Sequence, residues 1–194
     1  MDSIFALKGK DYVILVNETT VNHSIFKLRQ HFDKSFNLSK NCVAVLGGDV
    51  ADRANFGSYI RRNLDFSRFR HNRELTINET ANFIRNQLAQ ALRKQPYQVN
   101  ILLGGVDAEG VQLYWIDMYG TMAEVPYGAH GHAGYFISSV LSNYWKPDLD
   151  RETALMLVNG AINELRTRFI IAQDHFIIKV VDKDGITLNN VGQK

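Results

Sequence analysis

Residues 99–121 read VNILLGGVDAEGVQLYWIDMYGT, and two features of that stretch decide the fold. Its strand-like segments are separated by DAEG and MYG, turn clusters too short to carry a crossover helix, so the segments run antiparallel to one another. Yet Ile101, Leu102 and Leu103 are apolar in succession, which a sheet with one wet face does not need. Something covers this sheet on both sides.

The same conflict recurs at 175–188, where HFIIKVV and ITL are joined across DKDG. The opening MDSIFALKGKDYVILVNE (1–18) adds a third hairpin: Ile4, Phe5 and Leu7 lead to a turn at Gly9 to Asp11, and Tyr12 to Val16 return. The pattern predicts further strands around 41–46 and at TMAEV (121–125), with a short pair between 20 and 38. Helices fall between these groups. One, about 49–70, opens on Asp49 and carries Val50, Ala54, Gly57 and Leu64 on one side, its small residues pointing to close approach of a neighbour. The next is marked by a Thr76–Glu79 capping box, repeats Ile77, Ala81, Ile84, Leu88 and Leu92 at helical spacing, and is closed by Pro96. A third carries Ala133, Phe136, Ile137, Val140, Leu141 and Tyr144. A fourth starts from an Asp150 cap and turns Ala154, Val158, Ala161, Ile162, Leu165 and Phe169 inward. Strands, two helices, strands, two helices, strands: the economical arrangement is an α+β, four-layer αββα sandwich, two antiparallel sheets face to face with a helix pair outside each, in a single domain over 1–194.

Composition narrows the function classes. A net charge of +2, with Lys and Arg dispersed, gives no basic stripe that calls for nucleic acid or anionic lipid. Cys42 is the only cysteine and sits in the apolar run CVAVL, which excludes an internal disulfide and reads as a small buried hydrophobe. No apolar run reaches membrane-spanning length, and the first residues lack a signal-peptide plan, so an intracellular protein is expected. His130 and His132 in AHGHAG fall short of a metal-ligand set; a loop leading into the third helix is the reading there. DKDG lacks the Glu of a calcium loop, and Gly104–Gly105 lacks the helix start of a dinucleotide site. No cofactor and no metal are expected.

A four-layer sandwich whose first strand begins at the first residues resembles the N-terminal nucleophile hydrolases. LLGGVDAEGVQLYWIDMYGT (102–121), the glycine pair in AVLGGDVAD (44–52) and DKDGI (182–186) resemble a proteasome beta subunit over essentially the whole chain. DYV, HFDKSF, AHG, ELRTRFI and the absence of a propeptide are most similar to the beta type-2 branch, the non-catalytic member at the fourth position of the eukaryotic beta ring.

In that family a terminal hydroxyl attacks the peptide carbonyl while its own α-amine, with a pKa of roughly 8, serves as base. The resemblance puts Asp2 where the nucleophilic threonine would stand, with Met1 in front of it and disfavoured for removal. It implies that Glu18 and Lys34 keep the acid–lysine pair in kind, as a partly buried ion pair, and that Gly48 keeps the oxyanion-type glycine. His130 replaces a serine, and Phe169 to Ala172 replace an Asp-x-x-Ser motif. The implied protein has no peptidase activity and is a structural subunit of a 28-subunit 20S particle, contacting neighbouring beta subunits, the alpha ring and the opposite beta ring in cytoplasm and nucleus. The other reading, an active hydrolase using Ser3, is one residue out of register and on the other face of its strand. Interface candidates are Ala54, Gly57, Tyr59, Arg61, Arg62, Phe66 and Phe69. The arginines at 53, 61, 62, 68, 70 and 73 have two open readings, a solvated helix face or a subunit contact.

Overall fold

In the computed structural model, which describes residues 2–23, 26–169, 171 and 173–191, period-two alternation sorts the core side chains of the first hairpin to two faces. In β1 (Ser3–Lys8) and β2 (Tyr12–Glu18), Phe5, Leu7, Ile14 and Val16 point one way and Ile4, Ala6, Val13 and Leu15 the other; all eight are buried. The turn between them closes with Gly9 N–H donating to Tyr12 O at 2.8 Å. Two short strands, β3 (Val21–His23) and β4 (Phe26–Arg29), pair with each other in a separate two-stranded sheet. The chain then forms β5 (Ser35–Ser39), β6 (Cys42–Gly48), α1 (Val50–His71), α2 (Ile77–Ala91), β7 (Val99–Asp107), β8 (Gly110–Ile116) and β9 (Met122–Glu124). It ends with β10 (Tyr127–Gly131), α3 (Ala133–Tyr144), α4 (Arg151–Arg168), β11 (Phe176–Asp182) and β12 (Gly185–Val191).

Two five-stranded antiparallel sheets result, in the orders β10-β1-β2-β11-β12 and β5-β6-β7-β8-β9. Ile4, Ala6, Val13, Leu15 and Val181 of the first meet Val43, Val45, Leu102 and Leu113 of the second in a central apolar layer. Behind the first sheet, Phe5, Ile14, Phe176 and Ile178 pack on Ile137 and Leu141 of α3 and on Val158, Ile162 and Leu165 of α4. Behind the second, Leu46, Ile101, Leu103 and Ile116 pack on Phe56, Ile60 and Leu64 of α1 and on Ala81, Ile84 and Leu88 of α2. The consecutive apolar residues of β7 are thereby explained: Leu102 faces the other sheet, while Ile101 and Leu103 face helices.

Three expectations change. AHG is not a loop: Tyr127 to Gly131 form an edge strand, with Leu7 opposite Tyr127 and Ser3 opposite Gly131. Its pairing partner lies more than a hundred residues away, and its glycines hide any alternation, so local pattern carried no signal. The region from 20 to 38 holds three strands rather than a pair. In α1, Val50 and Ala54 are exposed and the inward stripe is Arg53, Phe56, Gly57, Ile60 and Leu64. Gly57 therefore faces the chain's own interior, which removes it from the outward interface candidates; a Cβ there would stand 2.4 Å from the Phe36 ring carbons. The Thr76–Glu79 capping box forms as read. Met1, Ile170, Ala172 and the Gly192–Lys194 part of the tail lie outside the described residues.

The Gly57–Phe36 contact makes a test by sign. Gly57→Ala gains about 0.5–1 kcal/mol of helix propensity but collides with the ring. Thermal unfolding is expected to show the single variant less stable than the parent, and the same change stabilising in a Phe36→Ala background.

Candidate functional site

Where β1 begins, four charged side chains from four parts of the chain converge. Strand alternation aims Asp2 the same way as Ile4, into the space between the sheets, and Glu18 ends β2 beside it. Lys34 precedes β5 and is fixed by its carbonyl, which accepts from Leu46 N–H at 3.1 Å. Arg53 comes from the first turn of α1, a helix capped by Asp49, whose side chain accepts from the N–H groups of Ala51 and Asp52.

The ammonium of Lys34 has no exposed surface and spends all three of its N–H bonds: on Asp2 Oδ1 at 2.6 Å, Glu18 Oε2 at 2.7 Å and the Thr20 carbonyl at 2.7 Å. The second oxygen of Asp2 accepts from Arg53 Nη1 at 2.5 Å and from the Gly48 N–H at 3.0 Å. Glu18 Oε1 accepts from the Thr20 N–H at 2.5 Å. Two carboxylates thus balance two cations, which is the condition for burying any of them. Burial alone would raise the Asp2 carboxyl, but the charges of Lys34 and Arg53, with hydrogen bonds from Lys34 and Gly48, prevail and hold it below its ordinary value of 3.8. Gly48 has φ +129°, and a Cβ there would stand 2.0 Å from the Gln98 carbonyl oxygen, so only glycine presents its N–H at this point.

A cleft of about 140 Å³ opens beside Asp2, lined also by Gly47, Gly48, Asn100, His130 and His132. His130 lies opposite Ile4 in β10, stacks on Trp115 with ring centroids 4.5 Å apart, and its Nε2 is 3.2 Å from the Ile101 carbonyl oxygen. Burial lowers its pKa to about 4, so it is a neutral donor to that carbonyl at pH 7. Phe169 ends α4 and packs against His132 at 4.6 Å, behind the cleft rather than at Asp2. Among the described residues no group of three or more His, Cys, Asp or Glu is placed to hold a metal ion, and no helix is long and apolar enough to cross a membrane.

The family model described as proteasome subunit matches residues 2–181, which takes in every residue of this cluster. The chain belongs to the proteasome subunit family. Its relatives match nearly end to end: proteasome subunit beta type-2-A of Arabidopsis thaliana is 39% identical over 186 residues, covering 95% of this chain and 91% of that protein. Proteasome subunit beta type-4 of Saccharomyces cerevisiae is 36% identical over 189 residues, covering 96% of each. A probable proteasome subunit beta type-4 of Schizosaccharomyces pombe is 37% identical over 194 residues, covering 98% of this chain and all of that one.

The family resemblance pointed to Asp2, Glu18, Lys34 and Gly48, and the structure brings these four together; His130 lies across the cleft and Phe169 outside the cluster. It did not point to Arg53. The sequence leaves Arg53 among six arginines with two readings, a solvated helix face or a subunit contact, whereas its side chain is only 2% exposed and is bound within the chain to Asp2. The available signal was its place three residues before Phe56 and seven before Ile60, on the inward stripe, where an arginine needs a carboxylate partner.

Two tests follow from the charges. Lys34→Met leaves two carboxylates against one guanidinium, and denaturant unfolding is expected to show a loss of about 3–5 kcal/mol. For His130 the folded value lies below the ordinary 6.5, so its contribution is complete above pH 6.5 and is lost between there and about 4, a fall of about 3 kcal/mol. The Asp2 contribution is complete above 3.8 and disappears only as pH drops through its depressed value. Melting curves from pH 7 to 4 should therefore slope downward, more shallowly in His130→Phe, with the Asp2 loss confined to stronger acid.

Proposed function

We propose that this chain is a non-catalytic, structural beta subunit of the 20S proteasome core particle, a single domain with the N-terminal nucleophile hydrolase fold that completes the beta ring without cutting peptides. One observation carries the reading: the position at which the family's hydroxyl nucleophile is expected holds a carboxylate, and that carboxylate is itself bound by the groups that would serve a reaction. Lys34 has no N–H left to give, and the Gly48 N–H, the oxyanion-type donor, is occupied by Asp2 Oδ2. A carboxylate held below its ordinary pKa is also a weak base at neutral pH.

The reading of Ser3 as nucleophile has the geometry against it. Ser3 is fully buried, its side chain faces away from the cleft, and its Oγ accepts from Gln173 Nε2 at 2.9 Å. The site residues therefore act as a fixed structural cluster, and the chain's work is done by its outer surfaces, against neighbouring beta subunits, the alpha ring and the opposite beta ring of a 28-subunit particle in cytoplasm and nucleus. Near-complete coverage of beta type-2 and type-4 relatives supports this assignment.

The test is chemical. The chain should co-purify in a particle of many subunits, and treatment of that particle with a peptide epoxyketone, which captures terminal hydroxyl nucleophiles with free amines, should leave this chain at its unmodified mass. An adduct on this chain would overturn the structural reading.

A further inference from the structure

The inward stripe of α1 is accounted for by the core; its opposite face is not. Arg62, Phe66 and Phe69 recur at three- and four-residue intervals on the side of the helix turned away from Phe56, Ile60 and Leu64, with Tyr59 at its flank, where its ring lies 6.5 Å from that of Phe56 and its hydroxyl donates to Gln87 Oε1 at 2.8 Å. Phe66 is 63% and Phe69 79% exposed. Beside this ridge lies an open cavity of about 340 Å³ bounded by Phe36, Ser58, Arg61, Arg62 and Asp65. One wall is aromatic because Gly57, lacking a side chain, lets the Phe36 ring press against the helix.

The charges around the cavity are unevenly settled. Asp65 is paired with Arg68 at 3.1 Å, Arg73 with Glu79 at 2.8 Å and Arg53 with Asp2. Arg61 and Arg62 have no hydrogen-bond or ion-pair partner among the described residues, yet both border the same cavity. Two guanidinium groups at the rim of a polar concavity, with an exposed aromatic ridge alongside, suit an incoming carboxylate, which Arg binds through a planar fork. Aromatic and arginine side chains are also those that carry most binding energy at protein interfaces.

We infer that this face of α1 receives a neighbouring subunit through an acidic side chain of that neighbour, seated between Arg61 and Arg62, with Tyr59, Phe66 and Phe69 packing into apolar surface around it. This rests on the assembly reading above and adds the chemistry of the contact. It also divides the exposed candidates: Arg61 and Arg62 select the partner by charge, the three aromatics supply buried area, and Ala54 lies outside the patch.

The experiment compares full-length variants in cells that carry the rest of the particle. Arg61→Glu with Arg62→Glu should lower the fraction of chain in the large particle at least tenfold by size-exclusion chromatography, with the deficit relieved by a charge-reversed acidic partner. Arg61→Lys with Arg62→Lys keeps the charge and supplies amines, so a zero-length carbodiimide should join one of these positions to an Asp or Glu of a different subunit. Normal assembly of the charge-reversed variant overturns the inference, as does the absence of any link from the assembled lysine variant or a link to a second copy of this chain. A parent chain found only as free monomer would instead overturn the assembly reading itself, so the two failures are distinguishable.

Discussion

An ammonium group with no exposed surface must be neutralised and hydrogen-bonded on every side, and Lys34 imposes that requirement on everything around it. Its three N–H bonds reach the start of β1, the end of β2 and the Thr20 carbonyl, so one charge fixes the relation between the first hairpin and the segment that leads into the second sheet. Arg53 extends the constraint to α1 through Asp2. Much of the contact between the two sheets is through side chains such as Val13, Leu15, Val43 and Leu102, which set distance without specifying much direction. The charged cluster adds directional contacts at one end of that interface, alongside the hydrogen bonds from His130 to the Ile101 carbonyl and from Trp115 to the Ala129 carbonyl.

The cluster also shows what a carboxylate at position 2 does for the charges buried around it. A hydroxyl at position 2 would leave Lys34 and Arg53 facing only Glu18, one cation too many for a buried site. The carboxylate of Asp2 restores neutrality and fills the Gly48 N–H at once. Arg53 and Asp2 are best understood together, each giving the other a reason to be buried.

Much of the fold was legible because its signals are local. The first hairpin, the Thr76–Glu79 box, the Asp150 cap and the doubly apolar strands each follow from a few adjacent residues. What escaped depends on partners distant in sequence. β10 is a strand only because β1 lies beside it, and Arg53 belongs to the cluster only because α1 starts next to Gly48. Glu18, Lys34 and Gly48 were found through resemblance; nothing in their own neighbourhoods distinguishes them from ordinary strand-end residues. For Asp2 the family register gives the place, but its bond to Arg53 exists only in the folded chain, across 51 residues.

The two sheets also differ in how their strands are drawn from the chain. β5 to β9 come from one continuous stretch, Ser35–Glu124, and pair in sequence order. The other sheet joins β2 to β11, so Tyr12–Glu18 waits for Phe176–Asp182, a partner made more than 150 residues later. During synthesis the first hairpin therefore leaves the ribosome with both strand edges unpaired, that of β1 until β10 and that of β2 until β11, and its Phe5, Leu7, Ile14 and Val16 row stays uncovered until α3 and α4 arrive. Closure of that sheet is a late, long-range step, and an exposed early hairpin is a natural substrate for a chaperone that holds strand edges until translation ends.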